Sequence, residues 1–170
     1  MLFETPRLRC RRWTPDDLDA LVAVYSDPEA MRWVGDGSPI SVNKCREWLA
    51  VTAQNYEVRG YGMFALESKE SRQVVGFCGL VHPGGQSEPE AKYAFLRSQW
   101  GTGLASEAIP ALLAYGRSTH GLTEIIATVA PDNVASQRVL RKAGFSLLRE
   151  RRNEDGSTTL LLRSLPQSEA

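Results

Sequence analysis

Two closely spaced glycines, Gly101 and Gly103, lie in the stretch Gln99-Trp100-Gly101-Thr102-Gly103-Leu104-Ala105-Ser106-Glu107-Ala108, and the chemistry open to such a pair is anion binding. Glycine lets the chain turn through positive φ and lets a ligand approach bare backbone. If a helix begins just beyond, its first N–H groups have no intrahelical partner and its macrodipole adds roughly half a positive charge. A phosphate can then be held without any basic side chain. The same pair also serves as a plain helix entry, and the spacing alone leaves both readings open.

The flanking segments supply the required context. Residues 90–97, Glu-Ala-Lys-Tyr-Ala-Phe-Leu-Arg, carry aromatic and aliphatic side chains without helical spacing and read as a strand. Leu104, Ala108, Leu112 and Tyr115 recur at helical spacing, which places the glycines at a strand-to-helix turn. Pro110 falls inside that helix, removes one backbone bond at a cost of about 3 kcal/mol if unrelieved, and predicts a kink.

Further elements follow in order. Leu8–Trp13 alternates apolar and basic residues as a half-exposed strand does. Thr14-Pro15-Asp16-Asp17 is a cap, a proline at the first helical position and two carboxylates at the positive end of the dipole, ahead of Leu18, Leu21, Val22 and Tyr25. Asp27-Pro28 repeats the signal for a short helix through Met31, ended by Gly35 and Gly37. Ser41 caps a third helix with Cys45, Trp48, Leu49, Thr52 and Tyr56 inward. Met63–Glu67 and Val74–His82 read as a hairpin, in which Gly76 and Gly79 signal a bulge or a close backbone neighbour. Glu124–Val129 reads as a buried strand, Asn133 caps a helix through Ala143, and Gly144-Phe145 stops it. Phe145–Arg152 and Thr158–Ser164 flank an Asp155-Gly156 turn.

Composition excludes several classes. The chain has 170 residues, with 20 Lys+Arg balanced by 20 Asp+Glu. A dedicated nucleic-acid binder usually shows a basic excess, so no nucleic-acid partner is expected. Cys10, Cys45 and Cys78 are odd in number and widely spaced, which fits buried free thiols of a cytoplasmic protein and no metal site. The N-terminus meets charge within four residues, and no apolar run is long enough to span a membrane. One domain over residues 1–170 is expected, with residues 165–170 a frayed tail.

The element order predicts an α+β fold: a mostly antiparallel twisted sheet with about four flanking helices. One parallel strand pair is expected where residues 90–97 cross over through the glycine-turn helix to Glu124–Val129. A ligand with phosphates on Gly101–Ala105 and a tail between those two strands fits that arrangement.

Two blocks carry a family resemblance. Trp100-Gly101-Thr102-Gly103-Leu104-Ala105-Ser106-Glu107-Ala108 resembles the acyl-CoA pyrophosphate loop of GNAT N-acyltransferases, and Asn133–Phe145 resembles their following coenzyme helix. The likeness runs from Leu8-Arg9-Cys10-Arg11 to the terminal hairpin and is closest to the ribosomal-protein N-terminal-amine acetyltransferase branch. It implies a GNAT-like sheet whose parallel pair splays, and acetyl transfer from acetyl-CoA to a primary amine through a ternary complex. The amine would be a peptide or protein N-terminus or a small molecule, and the protein a monomer or homodimer with no metal and no membrane partner. By matching position, the backbone of Phe95, Leu96 and Arg97 would meet the pantetheine arm. Gly101, Thr102, Gly103, Leu104 and Ala105 would hold the pyrophosphate, and Asn133, Ser136 and Lys142 would complete the coenzyme site.

For chemistry, the resemblance points to Glu90 as base, while a solvated strand-end glutamate is the plain alternative. His82 is a further candidate expected near Glu90. Many family members have a tyrosine just after the coenzyme helix, but no tyrosine follows Tyr115 here, which leaves Ser136 or a water it holds as the proton donor. Asn133 and Ser136 equally satisfy a helix cap, and Trp100, where many members carry Arg or Gln, equally serves as a core anchor for the turn. The missing tyrosine keeps a non-catalytic acyl-CoA-binding or sensor protein as the alternative, and a nucleotide-binding module is a second rival. Arg32, Trp33, Asp36 and the Glu154-Asp155-Gly156 turn are candidates for the acceptor groove.

Overall fold

The computed structural model describes residues 1–166. Its centre is an eight-stranded sheet in the order β1 (Phe3–Glu4), β2 (Leu8–Arg11), β3 (Met63–Ser68), β4 (Val74–Val81), β5 (Glu90–Phe95), β6 (Ile125–Val129), β8 (Thr158–Ser164) and β7 (Ser146–Arg152). Every neighbouring pair is antiparallel except β5 and β6. The expected mixed sheet with one parallel pair is therefore what the chain forms. Five α-helices flank it: α1 (Leu18–Tyr25), α2 (Pro28–Met31), α3 (Val42–Arg59), α4 (Leu104–His120) and α5 (Val134–Lys142). They correspond to the five helix starts read from the sequence, the single turn α2 included, one more than the count of about four.

Local capping chemistry sets the helix starts. The Asp17 carboxylate accepts from the Thr14 N–H at 2.9 Å, the Asp27 carboxylate from the Glu29 N–H at 3.0 Å, and the Ser41 hydroxyl from the Lys44 N–H at 3.2 Å. At the far end of α5, Phe145 N–H reaches the Leu140 carbonyl at 3.0 Å with Gly144 at φ 92°, the expected glycine stop. Phe145 is thereby used in the stop, so β7 begins one residue later. Helix α4 continues through Pro110, which is exposed. The Ser106 carbonyl that loses its partner there is four residues back on a half-exposed turn, within reach of water.

Strand alternation sends successive side chains to two cores. On one face α1, α2 and α3 place Leu21, Val24, Met31 and Cys45 on Ala65, Phe77 and Ala94. On the other, Ala108, Leu112 and Leu140 of α4 and α5 meet Leu80, Phe95 and Ile125. Strand β2 ends at Arg11, two residues short of the expectation, because Trp13 turns into the first core and stacks edge-on against Trp48 at 5.8 Å. Strand β1 was not anticipated, since two residues carry no readable period. All three cysteines are free and buried, and Cys10 and Cys78 meet in the core, where burial and each other push the Cys10 thiol up.

The warning in β4 has a specific cause. A Cβ on Gly79 would lie 2.3 Å from the Gly62 carbonyl oxygen, so the start of β3 crosses β4 at a distance only glycine permits. The register also slips between Leu66 and Glu67, opposite Gly76 and Val74.

Candidate active site

The site begins where two neighbouring strands separate. Strands β5 and β6 are joined at Glu90 and Ile126, with the Ile126 N–H on the Pro89 carbonyl at 2.9 Å, and from there they part. The Leu96 N–H bonds the Val75 carbonyl at 2.9 Å. Antiparallel alternation then turns the backbone groups of Leu96, Ala94 and Lys92 toward β4, and those of Tyr93 and Phe95 toward the side from which β6 has withdrawn. A strand edge thus lies open inside the sheet at the Tyr93 N–H and carbonyl and the Phe95 N–H, where an extended ligand can pair with it.

That edge runs into the glycine turn. Gly101 has φ 71° and Gly103 φ 84°, values that disfavour any side chain. Gly103 occupies the N-cap of α4 without a side-chain cap, so the first amides of α4 face outward. The Thr102 hydroxyl is tied back to the Gln99 carbonyl at 2.6 Å. Trp100 is 48% exposed and is not the core anchor considered above. It pins the turn to β5 through its indole N–H on the Phe95 carbonyl at 3.0 Å.

The candidate residues around this slot fall into three groups. Ser136 and Asn133 stand at the start of α5, where the Asn133 side chain accepts from the Ser136 N–H at 3.1 Å, so the cap reading holds. The Ser136 hydroxyl meets the Tyr93 hydroxyl at 2.6 Å, and burial pushes the Tyr93 phenol up to about 12 despite that bond. Strand β5 thus brings a buried tyrosine hydroxyl beside Ser136, where the segment after α5 supplies none. Lys142 is exposed at the opposite end of α5, roughly 9 Å along the axis from Ser136 at 1.5 Å per residue. Leu96 and Arg97 lie beyond the end of β5. The first has its N–H on β4, and the second has its guanidinium on Asp27, with the Arg97 Nε 2.9 Å from Asp27 Oδ2.

Glu90 projects to the other face, toward α1–α3, because it is an odd number of residues from Tyr93. It is 4% exposed, so the solvated alternative does not apply. Its carboxylate accepts from the Thr128 hydroxyl at 2.5 Å, from Lys92 Nζ at 3.2 Å and from the Gln86 amide at 3.4 Å. His82 is not in contact with it: one ring nitrogen meets the Tyr61 hydroxyl and the other the Gln86 carbonyl, each at 2.9 Å. Next to Glu90, its cross-strand partner Val81 lines a cleft of about 290 Å³ together with Trp48, Asn55, Arg59, Tyr61 and Met63.

The other acceptor candidates are held in local structure. The Arg32 guanidinium sits 4.8 Å over the Trp33 ring, Asp36 accepts from the Ser38 N–H at 2.9 Å, and Asp155 accepts from the Ser157 N–H at 2.9 Å. Among the described residues there is no cluster of three or more metal-ligating side chains, and no helix is long and apolar enough to cross a membrane.

A model of the acetyltransferase (GNAT) domain matches residues 7–146, a span that includes the splayed strands, the glycine turn and α5. This chain belongs to the GNAT acetyltransferase family. A GNAT relative, the uncharacterized N-acetyltransferase YoaA of Bacillus subtilis, is 32% identical over 85% of this chain and 82% of its own length. In fold, the GNAT acetyltransferase of Bacillus anthracis superposes with a TM-score of 0.83 at 24% identity, covering 97% of this chain and 98% of that one. RimL, a ribosomal L7/L12 α-N-protein acetyltransferase in complex with coenzyme A, also superposes with a TM-score of 0.83, at 17% identity over 96% and 97% of the two chains. These two structures establish the shared GNAT fold alone.

Sequence reasoning missed Tyr93, Thr128, Lys92 and Gln86. Tyr93 was legible only as one alternate residue of a strand. Its partner is 43 residues away, and that of Glu90, Thr128, is 38 away.

Proposed function

We propose that this GNAT protein transfers the acetyl group of acetyl-CoA to a primary amine by direct attack within a ternary complex. The observation that carries the reading is the open edge of β5 running directly into an uncapped helix N-terminus at Gly101–Ala105. The pyrophosphate sits on the amides of that turn, and the pantetheine arm pairs with the Tyr93 and Phe95 edge. The thioester then lies in the slot between the two faces, with Glu90 on one side and the Tyr93–Ser136 hydroxyl pair on the other.

The steps follow from that placement. Glu90 accepts a proton from the incoming ammonium, directly or through water, leaving a neutral amine. The amine nitrogen attacks the thioester carbonyl, and a β5 backbone N–H stabilises the oxyanion, an effect worth several kcal/mol in comparable dry sites. Collapse breaks the C–S bond. The second amine proton passes from nitrogen to the departing sulfur as the amide forms, giving the thiol. The Tyr93–Ser136 pair donates a hydrogen bond to the departing thiolate; Tyr93, with its phenol pushed up to about 12, stays protonated at neutral pH. The amine enters from the α1–α3 face, past the cleft beside Val81. The residues lining that cleft include no carboxylate, which favours an amine with an apolar body over a polycation.

Thiol release from acetyl-CoA across a panel of amines tests the reading. The expected result is turnover with apolar amines and peptide N-termini, exceeding that with spermidine. Coenzyme A binding without thiol release for any amine would favour a non-catalytic acyl-CoA-binding protein. A nucleotide lacking the pantetheine arm that binds as tightly as coenzyme A would overturn both.

A further inference from the structure

A carboxylate stands in the first turn of α4, where a phosphate is to bind. Glu107 suits the positive end of the helix dipole, but an uncovered charge there opposes any anion placed on the preceding turn. The structure covers it with residues about a hundred positions away. The Thr5 hydroxyl donates to Glu107 Oε1 at 2.5 Å, the Arg7 backbone N–H donates to the same oxygen at 2.8 Å, and Arg7 Nε donates to Oε2 at 2.8 Å. Only 15% of the Glu107 side chain is exposed.

The same guanidinium reaches the turn itself. Arg7 Nη1 donates to the Thr102 carbonyl at 2.8 Å, and Nη2 comes within 3.5 Å of the point a Cβ on Gly103 would occupy. Arg7 is in turn anchored to the sheet, since the Lys69 N–H bonds its carbonyl at 2.9 Å and the Leu8 N–H bonds the Thr5 hydroxyl at 3.0 Å. The fork geometry of arginine lets one side chain hold a carboxylate and a carbonyl together.

We propose that Arg7 is a positioning residue of the phosphate site. It cancels the charge of Glu107 and holds the Thr102 carbonyl, so that the amides of Gly101–Ala105 remain available to a pyrophosphate-bearing ligand. The inference rests on the pyrophosphate reading of the turn. It makes the Thr5–Arg7 segment, which lies outside both motif blocks, part of the donor site.

Calorimetry of coenzyme A binding to the full chain tests it with Arg7→Ala, Glu107→Gln and the double variant. Arg7→Ala is expected to weaken binding at least tenfold. Glu107→Gln should stay within about threefold of the native chain. In the Glu107→Gln background, the Arg7→Ala change should cost much less than it does alone, because no carboxylate is left to uncover. Equal costs in the two backgrounds would overturn the charge-cancelling role, as would an Arg7→Ala chain that binds normally. Arg7→Lys, which keeps the charge, should recover part of the affinity and serves as the test if Arg7→Ala does not fold. Steady-state kinetics separate positioning from general damage: KM for acetyl-CoA rises in Arg7→Ala while kcat/KM with S-acetylpantetheine, a donor without phosphates, is unchanged. A loss with both donors would mean a structural role only. Failure of the native chain to bind coenzyme A would overturn the pyrophosphate reading itself.

Discussion

The two sides of the slot, donor and acceptor in the function proposed above, are built differently. The donor side is largely backbone: the Tyr93 and Phe95 edge, two glycines at positive φ and the first amides of α4, all within residues 93–105. The acceptor side is side chains drawn from distant segments. Glu90 of β5 is held by Thr128 of β6, Lys92 and Gln86, and its neighbour Val81 shares a cleft with Trp48 and Arg59 of α3. Backbone recognition needs only a local conformation, so it tolerates changes in side chain around it. A buried carboxylate needs several hydrogen-bond partners at once, so the acceptor side depends on the whole sheet being in register.

Substitutions on either side should therefore fail in different parameters. The largest effect is expected for Gly103→Glu, which puts a side chain at φ 84° and an anion on the phosphate site. Like charges about 4 Å apart near a surface repel by about 4 kcal/mol, so coenzyme A affinity should fall by roughly a thousandfold, read by calorimetry. Full affinity would remove the turn from the donor side. Next comes Glu90→Gln, which keeps an acceptor for Thr128 but cannot take a proton. Loss of a general base lowers kcat by about a hundredfold or more, with KM for acetyl-CoA unmoved. A shift in that KM instead would erase the distinction between the two sides.

Tyr93→Phe removes one hydroxyl and leaves the packing of the ring. At about 1 kcal/mol for a hydrogen bond, kcat should drop by several-fold to tenfold with both KM values held. Ser136→Ala in the same background should add little, since the two hydroxyls act as a pair. The smallest expected effect concerns acid. Burial opposes ionisation of Glu107, but hydrogen bonds from Thr5 and Arg7 outweigh it and hold the carboxyl below its ordinary value. Its contribution to stability is then complete above the unfolded-state glutamate value of about 4.3 and is lost as pH falls through the lower folded-state value. Thermal unfolding followed from pH 6 to pH 3 should show a steeper decline for the native chain than for Glu107→Gln. Parallel curves would mean that the Thr5 and Arg7 hydrogen bonds do not hold the Glu107 carboxyl low.

Much of the fold was legible because its signals are local. Asp27, Ser41 and Asn133 cap helices by bonding amides two or three residues ahead, Asp17 reaches back to the Thr14 amide, and Gly144 ends α5 with its own next turn. Strand ends were less so. Trp13 leaves the strand for the α1–α3 core, and β5 stops at Phe95, choices that depend on what lies above the sheet. The order of the last strands, with β8 between β6 and β7, is likewise a pairing decision that neither strand encodes alone.

Gly101 and Gly103 mark the same division. By itself the sequence determined that a glycine turn joins a strand to a helix and can hold an anion, because φ preference and helix-end amides are properties of a few consecutive residues. Only the tertiary structure decided what surrounds that turn. It opened β5 beside it, brought Tyr93 to Ser136 and Glu90 to Thr128 on opposite faces, and covered Glu107 with Arg7. The physical reason is that those contacts join residues 38 to 100 positions apart, and their geometry follows from strand register and from which sheet face each side chain takes.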